Sequence, residues 1–99
     1  MIHEIAHIRI KPDSKQAFEA AVKAAEWHFR VAKGCRSFRL ERTIEDSLAY
    51  RLVVGWDSVE DHMVTFRATE GFAEWRALTA PHFAEPPEVY HVELVLTGF

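Results

Sequence analysis

The sequence predicts an α+β domain in which four antiparallel strands and two helical regions follow one another in the order β-α-β-β-α-β. The chain has 99 residues, the length of one domain, so we assign residues 1–99 to a single unit. Four short stretches have strand-like apolar patterns, and two longer stretches repeat apolar residues at helical spacing. A short polar turn joins the two middle strands, which makes them an antiparallel hairpin.

Alternate side chains of the first strand, residues 2–10, face opposite sides of the sheet. One set of alternate residues, or parity, is apolar and the other is mixed. The apolar parity holds Ile2, Ala6, Ile8 and Ile10, and the mixed parity holds His3, Ile5, His7 and Arg9. Pro12 ends the strand because proline has no backbone N–H for the ladder. Asp13 is then the predicted N-cap of a helix over residues 14–32, and Gly34 supplies the left-handed residue that ends it.

The remaining segments complete this order. Strands over residues 37–44 and 49–56 form the hairpin. A helical region over residues 58–80 follows, with an interruption before Thr69, which caps its second half. Residues 89–96 form the last strand. The sequence therefore predicts a ferredoxin-like, four-stranded antiparallel sheet with both helical regions on one face.

The uncovered face of such a sheet predicts a homodimer. Both parities of the first and last strands carry apolar side chains, as in the pairs Ile5 and Ile8, and Leu94 and Val95. Burial on one face only would leave a large apolar patch in water. We therefore expect two copies of the chain to pair sheet to sheet.

Charge and composition argue against several classes of partner. The net charge is −3 with basic and acidic residues interleaved, a pattern that does not favour nucleic acid. No apolar run approaches the ~20 residues that span a membrane, so we expect no membrane partner. The first four residues do not resemble a signal peptide. Cys35 is the one cysteine, which is typical of a protein from the reducing cytoplasm.

The sequence predicts neither a metal site nor a nucleophile. His3 and His7 share a strand parity, but four residues of strand span ~13 Å, too far for one metal ion. Cys35 has no adjacent His or Asp that would activate the thiol. The four glycines are isolated, so they form no phosphate-binding loop.

His62 is the residue that we predict to be catalytic. It shares a predicted helical face with Val59, Met63 and Phe66, and therefore points toward the sheet. Such a histidine is either a hydrogen-bonded core residue or a pocket residue that bonds or deprotonates a small ligand. On the second interpretation, His62 is a proton acceptor or a hydrogen-bond donor.

Aromatic residues near His62 predict the walls of a substrate site. The candidates are Trp56, Phe66, Phe72 and Trp75. They either fill the core or line a flat, apolar cavity for a small aromatic substrate, and the pattern allows both. His7 and His82 are further candidates for substrate binding.

Several segments taken together resemble the antibiotic biosynthesis monooxygenase family. They are IRIKPDSKQAFEAAV, Lys33-Gly34-Cys35, VVGWDSVEDH and EGFAEW, and the strongest matches are Trp56-Asp57-Ser58 and Phe72-x-x-Trp75. The resemblance implies a dimeric α+β barrel in which two sheets lie face to face. It also implies oxidation of quinols or polycyclic phenols with molecular oxygen as co-substrate and without a metal, flavin or haem cofactor.

The chain departs from this family at one position that bears on function. Many relatives carry a histidine where this chain has Phe66, and we expect His62, one turn earlier on the same face, to take its place. Two other functions are open on this fold. One is a non-enzymatic, ligand-binding or stress-related dimeric barrel, and the other is an isomerase or cyclase that consumes no oxygen.

Overall fold

Four antiparallel strands form one sheet in this structure, a computed structural model that describes residues 1–99. The strands are β1 (Ile2–Arg9), β2 (Cys35–Arg42), β3 (Ala49–Trp56) and β4 (Glu88–Glu93). Their order across the sheet is β2-β3-β1-β4, with all three pairings antiparallel. The predicted ferredoxin-like α+β fold is confirmed.

The helical regions lie in the predicted places, but the second is irregular. Helix α1 spans Lys15–Arg30. The second region contains a π-helix (Asp61–Thr65), a 3-10 turn (Phe66–Ala68), helix α2 (Glu70–Thr79) and a final 3-10 turn. The Thr69 side chain accepts a hydrogen bond from the backbone N–H of Phe72, which confirms the predicted cap between the two halves. No helix of the structure has the length and apolar character required to cross a membrane.

Several predicted element ends are wrong. The second strand spans Cys35–Arg42 rather than residues 37–44, and α1 spans Lys15–Arg30 rather than residues 14–32. Asp13 does not cap α1; it has a left-handed backbone with φ 64°, and Ser14 is the residue before the helix. The last strand stops at Glu93 rather than at residue 96. Glu93 pairs with Ile2, and β1 begins at Ile2, so no strand remains for residues 94–99 to pair with.

The core lies between the helices and one face of the sheet. It is built from the apolar parity of β1, alternate residues of β3 and the inner stripe of α1, with members that include Ala6, Ile8, Leu52, Val54, Phe18, Val22, Ala25 and Phe29. Ile5 and Val53 lie on the opposite, uncovered face. The register partners of these two residues are Tyr90 on β4 and Arg39 on β2, so this face mixes apolar and charged side chains.

Candidate functional site

A π-helix determines where His62 points. The backbone N–H of Phe66 donates to the carbonyl of Asp61, five residues earlier, so this turn is wider than an α-helical turn. His62 and Phe66 consequently both lie in the interior, whereas Val59 and Met63 are 43% and 36% exposed. Of the four residues predicted to point inward, His62 and Phe66 do so, and Val59 and Met63 do not. The prediction is wrong for these two because a wider turn changes which residues share a face.

Four side chains from four segments meet beneath this π-helix in one cluster. The Trp56 indole N–H donates to Oε1 of Glu4 at 3.0 Å. The same oxygen lies 3.2 Å from Nε2 of His62. Nδ1 of His62 lies 2.8 Å from Nε2 of His91, which stands opposite Glu4 on the neighbouring strand. Glu4, His62 and Trp56 are buried.

Burial raises the pKa of the carboxyl group in this cluster and lowers the pKa of its two imidazoles. Burial raises the pKa of Glu4 to about 7, although the Trp56 hydrogen bond and the nearby Arg67 charge oppose the rise. Burial, followed by His91 and Arg67, lowers the pKa of His62 to about 4. The pKa of His91 is also lowered, mainly by burial. Near neutral pH both imidazoles are therefore neutral, and Glu4 is poised between its two protonation states.

One oxygen of Glu4 is free to act on a ligand. Oε1 is occupied by Trp56 and His62, whereas Oε2 has no partner in the protein. No buried side-chain nitrogen or oxygen lacks a hydrogen-bond partner, so Oε2 is not sealed in the core. Glu4 lines a cavity, and Oε2 is the carboxylate oxygen that no protein group contacts.

The cavity lies between the helix-covered face of the sheet and the second helical region, and its volume is about 400 Å³. Its lining is mainly apolar and aromatic, with an acid, an imidazole and two guanidinium groups. The lining residues are Glu4, Ala6, Ile8, Leu52, His62, Arg67, Phe72, Trp75, Arg76, Phe83, Pro86, Pro87 and Val89. Ligand sites have this character: apolar walls with a few polar groups that fix orientation.

Residues 1–78 of the chain match the model of the antibiotic biosynthesis monooxygenase family. The chain belongs to this family. It is 32% identical over 93 residues to the Bacillus subtilis protein YczJ, described as uncharacterized, with 94% of this chain and 98% of YczJ covered.

Solved structures of two bacterial proteins share the fold of this chain. A Bordetella bronchiseptica protein whose name places it in the same family is 46% identical, with a TM-score of 0.94 and coverage of 96% of this chain and 97% of that chain. Rv0793 from Mycobacterium tuberculosis shares the fold at 20% identity, with a TM-score of 0.80 and coverage of 99% and 98%.

Within this antibiotic biosynthesis monooxygenase fold, the predicted aromatic residues divide into two groups. Phe72 and Trp75 line the cavity. Trp56 and Phe66 lie behind it in the core, where the Trp56 ring stacks on His62 with centroids 5.3 Å apart and an interplanar angle of 20°. Phe66 packs between Trp56 and Phe72, at centroid distances of 5.2 and 5.6 Å. Trp56 and Phe66 therefore support the site and do not line it.

The structure does not bring His7 and His82 to this cavity. His7 lies on the uncovered face of the sheet, where its Nε2 is 2.9 Å from the hydroxyl of Tyr90. His82 follows α2 and lies edge-on to Phe18, with ring centroids 6.5 Å apart. Neither residue is among those that line the cavity.

Sequence reasoning missed Glu4, His91, Arg67 and Arg76. Glu4 had a detectable signal: it shares the parity of Ile2, Ala6 and Ile8, so it is a single carboxylate in an otherwise apolar stripe. A carboxylate is rarely buried without a partner, so this position indicates a buried acid with a polar contact. His91 had no comparable signal because its contact with His62 depends on how β4 pairs with β1.

A second concavity, of about 610 Å³, is a weaker candidate. It lies near the hairpin and is lined largely by charged residues, among them Arg9, Arg42 and Arg51, and it contains no Trp or Phe. These arginines are paired with Asp46, Glu19 and Glu41 respectively. Its charges are thus already compensated within the protein.

Cys35 lies outside the cavity and is not activated. Burial raises the pKa of its thiol to about 11, so the thiolate is scarce near neutral pH. No group of three or more His, Cys, Asp or Glu side chains has an arrangement that could hold a metal ion.

Proposed function

We propose that this protein is a monooxygenase that oxidises a small quinol or polycyclic phenol with molecular oxygen, without a metal, flavin or haem. Membership of the antibiotic biosynthesis monooxygenase family supports the general class of activity. The observation that carries the specific proposal is Oε2 of Glu4, a free carboxylate oxygen that faces an aromatic-lined cavity and titrates near neutral pH.

In the proposed reaction the substrate itself supplies every electron that oxygen needs. For a quinol, one oxygen atom replaces a ring hydrogen, the other leaves as water, and the product is the hydroxylated quinone. Oxidation of the C–H bond provides two electrons, and conversion of quinol to quinone provides the other two. The protein has to bind the ring, remove a phenolic proton and exclude water.

We assign removal of the phenolic proton to Glu4. A general base is most effective when its pKa lies near the working pH, and the pKa of Glu4 is about 7. The prediction that His62 itself accepts the proton stays untested. Both of its ring nitrogens are engaged, one by Glu4 and one by His91, which favours a positioning role for His62.

Phe72 and Trp75 are the residues that we propose to hold the substrate ring. Both lie on α2 and line the cavity, and aromatic faces stack on flat rings. Phe83 and Pro87 also line the cavity and keep water away from the ring. Deprotonation in these surroundings yields a phenolate, the electron-rich form that reacts with oxygen.

Oxygen uptake with a panel of hydroquinones, naphthohydroquinones and anthrones tests the function directly. We expect uptake matched by hydroxylated product in the wild-type protein, a large loss in Glu4→Gln, and no loss in the exposed control Glu45→Gln. Turnover that persists without oxygen would instead identify an isomerase or cyclase. Tight binding without any turnover would identify a binding protein.

We also propose that the protein is a homodimer that pairs through the uncovered face of its sheet. Tyr90 and Val92 on this face are 40% and 42% exposed. The chain then continues beyond β4 with unpaired apolar residues, and Leu94 and Leu96 are 70% and 81% exposed. The charges on this face already pair within one copy, as Arg51 does with Glu41, so an identical face is an acceptable partner.

A further inference from the structure

The cavity collects the two arginines that have no carboxylate partner in the protein. Of the eight arginines, six form an ion pair with a carboxylate: Arg9, Arg30, Arg36, Arg39, Arg42 and Arg51. Arg67 and Arg76 form no ion pair and no side-chain hydrogen bond, and both line the cavity. Unpaired guanidinium groups are therefore concentrated at one place.

These two arginines flank the aromatic residue that we expect to hold a ring. Arg76 follows Phe72 by four residues on α2, so the two side chains share a helical face. The guanidinium carbon of Arg67 lies 5.8 Å from the centre of the Phe72 ring. A ligand ring that contacts Phe72 would thus have both guanidinium groups nearby.

The cavity contains no charge that would compensate both arginines. Glu4 is the one carboxylate among the lining residues, and its Oε1 is already engaged with Trp56 and His62. Glu4 makes no ion pair with Arg67 or Arg76. With two guanidinium groups and one carboxylate, the lining of the cavity has an excess of positive charge.

We propose that the cavity binds an aromatic carboxylate, whose anionic group is held by Arg67 and Arg76 while its ring lies on Phe72. The planar guanidinium fork matches the two oxygens of a carboxylate. A volume of about 400 Å³ admits a bicyclic ring system. This inference names the substrate class of the proposed function, and it rests on that function only for the hydroxyl group that Glu4 receives.

Isothermal titration calorimetry with matched naphthalenes tests the anion preference without requiring turnover. The probes are 6-hydroxy-2-naphthoate, its methyl ester and 6-hydroxynaphthalene-2-sulfonate, measured near neutral pH. We expect the carboxylate to bind about tenfold more tightly than the ester, or better, because hydrogen bonds to charged groups add to the affinity. Equal affinities, or tighter binding of the sulfonate, would overturn the proposal.

Variants of the two arginines assign the preference to this site. In Arg67→Gln/Arg76→Gln we expect the carboxylate to lose its advantage while the ester binds as before and the melting temperature is unchanged. Arg30→Gln, which removes an exposed arginine paired with Glu26, should leave the preference intact. A preference that survives the double substitution would contradict the proposal, as would failure of every probe to bind at about 1 mM.

The calorimetry tests the anion site and the oxygen assay tests the monooxygenase, so either proposal can be rejected without the other. Selective carboxylate binding without oxygen uptake would retain the anion site and reject the monooxygenase. Oxygen uptake with neutral quinols, combined with no carboxylate preference, would retain the monooxygenase and reject the anion site.

Discussion

Glu4 and His62 are joined by a buried contact of 3.2 Å, and their acidities are the reverse of those in water. The pKa of Glu4 is raised to about 7 and that of His62 is lowered to about 4, both mainly by burial. The imidazolium is therefore the stronger acid, and a proton shared by the pair resides on Glu4. Near neutral pH the His62 imidazole is neutral, so this close contact is not an ion pair.

The activity of the wild-type protein should rise with pH through about 7, because Glu4 has to lose its proton before it can accept one from the substrate. Glu4→Gln should lower kcat by about 10²–10⁴-fold and abolish this rise. A kcat/KM profile over the pH range checks both effects, with Glu45→Gln as the matched control. A profile that keeps its rise in Glu4→Gln would assign the titration to another group.

Glu4 should make the protein less stable as the pH rises from 4.5 to about 7. Its folded-state pKa of about 7 exceeds the ordinary 4.5, so the folded protein keeps a proton that the unfolded chain releases in this interval. Glu4→Gln should therefore gain stability relative to wild type as the pH rises, by at most about 3 kcal/mol above pH 7.

His62 has the opposite effect on stability, since its pKa is lowered from 6.5 to about 4 and the unfolded chain binds the extra proton. Wild type and Glu4→Gln both contain His62, so the difference between their free energies of unfolding isolates the contribution of Glu4. Denaturant titrations of wild type and Glu4→Gln at several pH values give that difference. A difference independent of pH would show that Glu4 has an ordinary pKa.

Trp56→Phe should shift the rise in activity to higher pH. The Trp56 N–H stabilises the ionised form of Glu4 through a 3.0 Å hydrogen bond, and phenylalanine cannot donate one. Trp27→Phe is the control because Trp27 is 62% exposed on α1. A shift of the profile to lower pH in Trp56→Phe, or an equal shift in Trp27→Phe, would contradict this role.

Phe66 and Phe72 should respond differently to the same substitution. Phe66→Leu should cost about 1–2 kcal/mol of unfolding free energy with little change in KM, because Phe66 is 2% exposed and lies in the core. Phe72→Leu should raise KM with a smaller loss of stability, because Phe72 lines the cavity. Denaturant melts and steady-state kinetics on the two variants separate the core residue from the substrate residue.

Val92→Glu should convert the proposed dimer into a folded monomer. Val92 is 42% exposed on the uncovered face, so a charge there is tolerated in one copy but would be buried between two. Val64→Glu is the control, since Val64 is 63% exposed on the second helical region. Sedimentation velocity of both variants gives the oligomeric state, and a dimer that persists in Val92→Glu would reject this interface.

Much of the fold could be predicted from local patterns. The third strand was predicted at its observed bounds, Ala49–Trp56, because its apolar run follows the polar turn at residues 45–47 and ends at Asp57. The cap at Thr69 was predicted because a threonine before a helical repeat is a local signal. The end of β4 could not be predicted, because the last residues of β4 need β1 as a partner and β1 begins at Ile2.

The candidate site was predicted only in part. His62, Phe72 and Trp75 were identified by helical spacing and do lie at the cavity. Glu4 was overlooked although its parity marks it as buried, and the polar parity of β1 directed attention to His7 on the other face. The π-helix was not visible in the sequence, because one additional residue in a turn leaves the apolar pattern nearly unchanged.

The sequence alone determined the order of the elements and which parity of β1 is buried, since both follow from residues close together along the chain. Only the tertiary structure decided that Glu4, 52 residues from Trp56 along the chain, and His91, 29 residues from His62, belong to one cluster. The physical reason is that strand register and the π-helical turn bring these groups within 3.2 Å, and the resulting burial moves their pKa values. Neither effect is a property of any single segment.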